Sequence, residues 1–444
     1  MLKEGALEGY RGLAYTKLAE AGARVGDTVE VCYAGECVVG RLMPHTEGGD
    51  DTIVVLKLSN GYNVGLSVAD ASVRVVSASG GIAQQPSSEG EGASVVGGGY
   101  VALISTGGTI ASRVEYETGA VRPALRASDL LSLVPELGGF GQLKTKVLMS
   151  ILSEDMKPSY WERIAHAVFS EVMGGAVGVV VAHGTDTMGY TAAALSFALR
   201  GVGVPIVLVG SQRSSDRPSS DAHTNLVSAV RFAKESHLPG VYVCMHHSTS
   251  DPTCAVMPGV KVRKMHTSRR DAFRCVNAQP VALVERGGIV FLGGAVKRAS
   301  SGGLEFKPAF SDRAALLQYY PGFKLELLEW LAGSGCLGVV LAGTGLGHVS
   351  SELVEGIARL RRNGLLVYMT SQCLYGRVNM NVYTTGRRLL AAGVVPLGDM
   401  LPETAYVKLS WALANHPFER VDEVMRSNIV GEISERSVYT GEPA

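Results

Sequence analysis

The stretch Val101-Ala102-Leu103-Ile104-Ser105-Thr106-Gly107-Gly108-Thr109-Ile110 joins an apolar run to a turn with two glycines and two threonines. A second apolar run, Val177 to Val181, leads into a similar turn, Ala182-His183-Gly184-Thr185-Asp186-Thr187-Met188. Such runs are typical of parallel strands, and open α/β sheets bind their ligands at the carboxyl ends of these strands. The two turns therefore predict a crevice that holds two threonine hydroxyls and a carboxylate.

Further apolar runs alternate with helical patterns, which predicts βαβ units and a largely parallel sheet. The first set of runs is Tyr100 to Ser105, Lys146 to Ile151, Val177 to Ala182, Pro205 to Gly210 and Gly240 to Met245. A second set begins near Ala314 and contains Leu337 to Ala342, a helical segment Ser351 to Arg362, and Leu365 to Thr370. We expect an α/β fold with a doubly wound, mainly parallel sheet domain and a smaller C-terminal α/β domain.

The N-terminal part has a different pattern of short β-type runs separated by turn signals, which predicts a small β-barrel. These runs are Asp27 to Val31, Glu36 to Leu42, Thr52 to Leu58 and Gly65 to Val68. A stretch dense in Gly, Ser, Gln and Glu follows and indicates a linker. The predicted boundaries are 1–76 for the barrel, 77–99 for the flexible linker, 100–290 for the large domain with the active site, 291–313 for a connection and 314–444 for the small domain. The end of the large domain, Glu285 to Asp312, indicates a partly ordered connection.

The composition limits the possible partners and compartments. With 41 basic and 41 acidic residues the net charge is zero, which argues against broad nucleic-acid binding by this chain alone. Seven scattered cysteines without a Cys-x-x-Cys pair argue against a zinc site or a redox dithiol, and they favour a reducing compartment. No apolar run approaches the length of a membrane helix. We therefore expect a cytoplasmic, soluble protein with no metal site.

The residue types in the two turns indicate nucleophilic catalysis. A threonine hydroxyl is a poor nucleophile unless a neighbour removes its proton and backbone amides stabilise the oxyanion. Thr109 follows two glycines, which let backbone N–H groups approach a substrate carbonyl. Thr185 and Asp186 can hold a water or relay a proton, but they need a basic group. Lys264 is the best candidate, because a lysine between an acid and other cations can have its pKa lowered, and Lys261 is the neighbouring alternative.

Thr106 to Ala111 and His183 to Met188 resemble the two signature motifs of the asparaginase family with a threonine nucleophile. The resemblance covers roughly residues 100–435 and implies hydrolysis of a side-chain amide through an acyl-threonine intermediate. The positions that match the family's catalytic residues are Thr109 as nucleophile and Thr185, Asp186 and Lys264 as the second cluster.

Three more residues match substrate-binding positions of that family. Ser153 and Glu154 resemble the loop that holds the charged backbone groups of the amino acid, with Glu154 where simple asparaginases usually carry Gln. A carboxylate suits a substrate ammonium, so the resemblance implies altered specificity. Tyr116 matches the flap tyrosine that covers the site.

The N-terminal barrel, the linker and the segment Lys264 to Arg274 resemble the asparaginase-like subunit of archaeal-type glutamyl-tRNA(Gln) amidotransferases. This resemblance implies release of ammonia from glutamine or asparagine for a kinase-like partner subunit, which converts Glu-tRNA(Gln) to Gln-tRNA(Gln). It further implies that ATP, Mg and most of the tRNA bind to the partner, with no cofactor on this chain. The chain lacks a Gly-x-x-x-x-Gly-Lys-[Ser/Thr] loop, which agrees with this division. Two copies of this chain are expected in a heterotetramer with two partners.

Other interpretations of the same residues remain open. A free-standing asparaginase or glutaminase would share every catalytic residue, and a catalytically silent scaffold would be expected to have lost one of them. His183 is expected to orient its loop rather than to catalyse. The cationic stretch from Lys261 to Arg274 can contact RNA or a partner, or it can be a solvated face. Asp221 or Ser220 is predicted to cap a helix, and no chemistry is assigned to Asp399 to Ala405.

Overall fold

The computed structural model describes residues 7, 9–33, 35–45, 49–59, 63–78, 99–107, 112–114, 121–123, 135–213, 220–249, 253–292 and 303–437. Within these ranges, no helix has both the length and the apolar composition that a membrane crossing requires. The predicted linker lies almost entirely outside the described residues.

The described residues of the N-terminal part form one helix and one antiparallel sheet. Its elements are α1 (Gly12–Glu20), β1 (Thr28–Tyr33), β2 (Glu36–Leu42), β3 (Ile53–Lys57), β4 (Asn63–Ser67) and β5 (Ser72–Ser77). The strand order is β4-β3-β2-β1-β5. Ala14 and Leu18 of α1 are buried in one apolar cluster with Val29 and Leu56 of the sheet. The predicted β module is confirmed, whereas α1 and β5 were missing from the sequence-based prediction.

A disulfide joins Cys32 and Cys37, which the scattered cysteine spacing did not predict. The two residues are direct partners across the hairpin of β1 and β2, with Cα atoms 4.1 Å apart. The strand register therefore brings the two cysteines together at the end of the hairpin, where they form the disulfide.

Among the described residues, the large domain is built on an eight-stranded sheet with three α-helices. Its strands are β6 (Val101–Gly107), β7 (Ser112–Val114), β8 (Val121–Pro123), β9 (Leu143–Ile151), β10 (Gly178–Ala182), β11 (Leu199–Arg200), β12 (Pro205–Val209), β13 (Gly240–His246), β14 (Cys254–Pro258), β15 (Val262–Lys264), β16 (Phe273–Cys275), β17 (Ala282–Glu285), β18 (Gly288–Phe291) and β19 (Glu305–Phe306). Its helices are α2 (Pro158–Met173), α3 (Met188–Ala198) and α4 (Ala222–Glu235).

The main sheet has the order β18-β17-β14-β13-β12-β10-β6-β9. Strands β9, β6, β10, β12 and β13 are parallel, and the other three add in antiparallel orientation. Because β6 has β9 on one side and β10 on the other, the strand order reverses at β6. This is the topological switch point at which such sheets form a ligand crevice.

Helix α2 shows why these segments are helical. Pro158 occupies the start of the helix, where its missing N–H costs nothing. Trp161, Ile164, Ala165 and Val168 are buried, and their spacing puts them on one face of the helix. The helix therefore covers the sheet with that apolar face.

The smaller C-terminal domain has a parallel four-stranded sheet. Its elements are β20 (Ala314–Gln318), α5 (Glu326–Gly333), β21 (Gly338–Gly343), α6 (Val354–Arg362), β22 (Leu366–Ser371), α7 (Thr384–Ala391), β23 (Val395–Pro396), α8 (Pro402–Asn415) and α9 (Val421–Arg426). Helix α8 packs against α3 of the large domain, and the rings of Phe197 and Trp411 stack there at 5.6 Å. The two domains therefore share one apolar core.

The segment Glu285 to Asp312, predicted as a partly ordered connection, contains two paired strands among its described residues. β18 pairs with β17 as an edge hairpin of the main sheet. Near the end of the segment, β19 pairs with β11. Residues 293–302 of this segment lie outside the described residues.

Candidate active site

The strands that precede the two threonine-bearing turns are neighbours at the switch point. Strands β6 and β10 are parallel neighbours, with Ser105 paired to Ala182 at their ends. The Thr106 hydroxyl donates to the Ala182 carbonyl at 3.0 Å and ties the two strand ends together. Thr109, the predicted nucleophile, follows this point and lies outside the described residues.

Gly107 is required at the exit of β6. Its φ is +103°, and a Cβ atom there would lie 2.4 Å from the Ile151 carbonyl oxygen of β9. The register between β6 and β9 shifts at the same place, between Ser105 and Gly107. Only glycine permits this close backbone approach, so the end of β6 lies directly against β9.

Thr185, Asp186 and Lys264 form one hydrogen-bonded cluster. Lys264 Nζ donates to Thr185 Oγ1 at 2.9 Å and to Asp186 Oδ1 at 2.7 Å. Thr185 is buried, whereas the Asp186 side chain is 64% exposed at the mouth of the crevice. The structure thus brings together three of the four predicted catalytic residues, with a hydroxyl, an amine and a carboxylate in series.

Asp186 is held in its ionised form. Partial burial opposes ionisation, but the hydrogen bond and charge of Lys264, with the hydrogen bond from Ser153, outweigh it and hold the pKa of Asp186 below its usual value. The carboxylate therefore remains an acceptor for Lys264 throughout the neutral range.

Ser153 contacts the same carboxylate from a different loop. It begins a short 3₁₀ turn after β9, and its hydroxyl donates to Asp186 Oδ2 at 3.0 Å. Its carbonyl accepts a hydrogen bond from the Thr187 hydroxyl at 2.8 Å. Gly184 makes this approach possible, because a Cβ atom there would lie 2.6 Å from the Ser153 Cβ.

Of the two other predicted substrate-binding residues, Glu154 lies within the described part of the chain and Tyr116 does not. Glu154, next to Ser153, has an exposed side chain beside the cluster. Tyr116, the predicted flap residue, lies outside the described residues.

His183 orients its loop, as predicted. Its Nδ1 lies 2.7 Å from the Gly184 carbonyl and its Nε2 lies 2.9 Å from the Thr191 hydroxyl of α3. Complete burial lowers the pKa of His183 to about 4, so the ring is neutral at physiological pH. A neutral ring that contacts the loop with one nitrogen and a helix with the other fixes the backbone just before Thr185.

The structure selects Lys264 over its neighbour Lys261. The Lys261 side chain is 3% exposed and its Nζ donates to Asp399 Oδ2 of the C-terminal domain at 2.8 Å. It therefore points away from Thr185 and Asp186, and Lys264 is the lysine that reaches the crevice.

Asp271 lies in the predicted cationic stretch, but no role of its own was predicted for it. Lys264 pairs with Phe273 across the hairpin of β15 and β16, and Asp271 lies in the loop between these strands. Its buried carboxylate accepts hydrogen bonds from Arg269 at 2.6 and 2.8 Å and from Arg274 at 2.5 Å. These bonds, those of Arg269 above all, lower the pKa of Asp271 to about 2. Two of the cations in the predicted basic stretch therefore brace the hairpin that carries Lys264.

Asp221 is the N-cap residue of α4, which was one of the two alternatives predicted from the sequence, but its carboxylate makes no capping hydrogen bond. The carboxylate instead accepts hydrogen bonds from the backbone N–H groups of Gln212 and Arg213 and from the Asn225 amide. The Ser220 hydroxyl accepts from the N–H of Ala222 at 3.2 Å. Asp221 thus stabilises the loop after β12, which neighbours the crevice.

Family models account for nearly the whole chain beyond its first residues. The model described as "Asparaginase, N-terminal" matches residues 100–297, and that of the "Glutaminase/Asparaginase C-terminal domain" matches residues 313–425. The model described as "GatD N-terminal domain" matches residues 23–76.

Curated relatives of the GatD type, each named as a subunit of glutamyl-tRNA(Gln) amidotransferase, match over the full length. The GatD protein of Metallosphaera sedula is 50% identical over 434 residues, which are 97% of this chain and 97% of the relative. The GatD protein of Sulfurisphaera tokodaii is 48% identical over 97% of this chain and 96% of its own.

Solved structures match the part that follows the N-terminal module. The thermostable L-asparaginase from Thermococcus kodakarensis is 34% identical with a TM-score of 0.67, and covers 76% of this chain and 99% of its own. L-asparaginase I from Vibrio cholerae has the same TM-score and coverage at 28% identity. The chain is thus similar to an asparaginase with an added N-terminal part.

Proposed function

The chain belongs to the GatD family of glutamyl-tRNA(Gln) amidotransferase subunits, and on this basis we propose that it releases ammonia from glutamine or asparagine for a partner subunit that converts Glu-tRNA(Gln) to Gln-tRNA(Gln). The observation that carries the proposal is the Lys264, Thr185 and Asp186 cluster at the switch point, beside the turn that leads to Thr109. Similarity to GatD proteins over nearly the full chain favours this function over that of an asparaginase alone.

The proposed reaction proceeds in two steps through Thr109. The Thr109 hydroxyl attacks the carbon of the side-chain amide, its proton passes to the leaving nitrogen, and the C–N bond breaks to release ammonia. Water then attacks the acyl-threonine ester, and the acid product leaves as the threonine regains its proton. The missing side chains of Gly107 and Gly108 favour stabilisation of the oxyanion by backbone N–H groups.

Lys264, Thr185 and Asp186 would move the protons of both steps. The Thr185 hydroxyl accepts a hydrogen bond from Lys264, so its own hydrogen is available for a water or for the substrate. Lys264 in turn contacts an ionised carboxylate, which stabilises positive charge on the amine as a proton arrives. A relay of this kind contributes typically 10²–10⁴-fold to a rate.

Substrate binding is assigned to Ser153, Glu154 and Tyr116. Ser153 and Asp186 lie side by side at the mouth of the crevice, where hydroxyl and carboxylate groups suit the charged backbone of an amino acid. Glu154 adds a second, exposed carboxylate that suits the substrate ammonium. Tyr116 is proposed to cover the bound substrate.

The remaining steps are assigned to the partner. We propose a kinase-like subunit that binds ATP and Mg and most of the tRNA, while this chain binds no cofactor. Two copies of each chain would form a heterotetramer in the cytoplasm. The naming of the relatives as one subunit of an amidotransferase and the zero net charge of this chain support that division.

The second candidate is a free-standing asparaginase or glutaminase, which is favoured by the asparaginase fold of residues 100–425. Ammonia release from glutamine and asparagine, measured first with the chain alone and then with the partner, ATP and Glu-tRNA(Gln), separates the two. Strong stimulation by the complete mixture supports the amidotransferase subunit. Equal, vigorous turnover by the chain alone supports the free-standing enzyme.

A further inference from the structure

The segment that carries Lys264 is fastened to the C-terminal domain at three nearby points. All three contacts come from residues 399–404, to which the sequence analysis assigned no chemistry. Thr404 Oγ1 donates to the Val260 carbonyl at 3.0 Å, Lys261 Nζ donates to Asp399 Oδ2 at 2.8 Å, and Arg263 Nε lies 3.3 Å from Glu403 Oε1.

The pair of Lys261 and Asp399 is the most buried of these contacts, with side chains 3% and 1% exposed. Asp399 is held from two further directions. Its Oδ1 accepts a hydrogen bond from the Ser434 backbone N–H at 2.8 Å, and its carbonyl accepts one from Asn277 Nδ2 at 3.2 Å. A carboxylate held in this way is a fixed point for the lysine that it contacts.

We propose that Asp399 is a positioning residue for the amide-hydrolysing site, because by holding Lys261 it sets where Lys264 Nζ lies relative to Thr185 and Asp186. The inference rests on the proposed function, which gives Lys264 its part in proton transfer. Only two residues separate Lys261 from Lys264, and one of them, Val262, is buried in the shared core. The anchor therefore acts through a short, packed segment.

The long lysine side chain makes such an anchor necessary. Lys264 has several rotatable bonds, so a small shift of its backbone moves Nζ away from Thr185 and Asp186. A displacement of about 1 Å in an active-site group can cost about 10²-fold in rate. Loss of Asp399 leaves the Lys261 ammonium buried and unpaired, which favours movement of this segment toward water.

Asp399→Asn tests the inference, because the amide keeps an acceptor for the Ser434 N–H and removes the charge that faces Lys261. Ammonia release from glutamine and asparagine is measured across pH with the full-length chain, the partner, ATP and Glu-tRNA(Gln). We expect kcat to fall on the order of 10–10²-fold and the midpoint of the pH–rate profile to shift. The pH profile is measured well below the unfolding temperature of the variant, where nearly all of the protein is folded at every pH, so that a shifted midpoint reports on the active site.

Glu171→Gln is the matched control. The Glu171 side chain is 5% exposed, and its carboxylate accepts hydrogen bonds from Lys144 Nζ and the Tyr100 hydroxyl, each at 2.9 Å, near the start of β6 and β9 and away from the crevice. This variant is expected to lose thermal stability as Asp399→Asn does, but to keep the wild-type pH midpoint. If Asp399→Asn also keeps the wild-type midpoint of the pH–rate profile, the inference is overturned.

Two more variants complete the test. Thr404→Val replaces Asp399→Asn in the test if the latter does not fold, because it removes only the hydrogen bond to Val260. We expect it to shift the midpoint of the pH–rate profile with a several-fold loss of kcat. An unchanged pH–rate profile in Thr404→Val overturns the inference. Lys264→Met separates the two proposals. Wild-type turnover in Lys264→Met contradicts the proposed function, whereas an inactive Lys264→Met beside a wild-type profile in Asp399→Asn contradicts the positioning role alone.

Discussion

Lys264 Nζ donates to Asp186 Oδ1 at 2.7 Å, although the two residues lie 78 positions apart in the chain. Asp186 follows a central strand of the main sheet, and Lys264 ends a strand of a separate two-stranded hairpin. Their contact therefore depends on how the hairpin is held. The hairpin is braced within itself by Asp271 and against the C-terminal domain by Asp399.

Lys264→Met is expected to lower ammonia release by about 10²–10⁴-fold, because it removes the amine from the proposed relay. Steady-state release of ammonia from glutamine and asparagine measures the effect. Lys324→Met is the control, since Lys324 is exposed in the small domain and this variant should retain the wild-type rate. Comparable rates in the two variants would remove Lys264 from the mechanism.

Gly184→Ala is expected to raise the KM for the amide substrate about tenfold or more, because the new methyl group would meet the Ser153 side chain and displace it. Gly203→Ala is the matched control, since a Cβ atom there has no neighbour within 4 Å. An unchanged KM in Gly184→Ala would show that the position of Ser153 is unimportant for binding.

His183 should make stability depend on pH below neutrality. Its pKa is about 4 in the folded chain and about 6.5 when unfolded, so the unfolded chain binds the additional proton first as pH falls. The stability that the neutral ring contributes, up to about 3 kcal/mol, is complete above about pH 6.5 and is lost toward pH 4. Thermal unfolding of wild type and His183→Gln between pH 4 and 8 checks this, and parallel curves would contradict it.

Asp271→Asn should lower thermal stability, and this loss should become smaller in strongly acidic solution. The pKa of Asp271 is about 2 in the folded chain and about 3.9 when unfolded. Its contribution is therefore complete above about pH 4 and is lost as pH falls toward 2. The gap between the unfolding midpoints of wild type and variant should narrow over that range. Glu423→Gln, at an exposed ion pair, should show no measurable gap.

The parts of the fold that depend on local pattern could be predicted from the sequence. The apolar runs that correspond to β6 and β10 lead to the same edge of the sheet, as expected for parallel strands. The strands at the antiparallel edge, such as β18, were missed because their residues are partly exposed and lie in a Gly-rich region.

Long-range pairing of polar groups could not be predicted in the same way. Asp221 has the sequence position of a helix cap, but its carboxylate finds partners in Gln212 and Arg213 instead. Asp399 has the sequence position of a loop residue, and only the packing of α8 against α3 brings it to Lys261. The Asp221 contacts depend on the path of one loop, and the Asp399 contact depends on the relative placement of two domains, so neither has a signature in the local sequence pattern.

The central claim is that Thr109 forms an acyl intermediate, and the most direct test is ammonia release by Thr109→Ser and Thr109→Ala in the complete mixture of partner, ATP and Glu-tRNA(Gln). Serine keeps a hydroxyl at the same position, whereas alanine removes the nucleophile. We expect measurable turnover in Thr109→Ser and a loss of several orders of magnitude in Thr109→Ala. Wild-type turnover in Thr109→Ala would contradict the account.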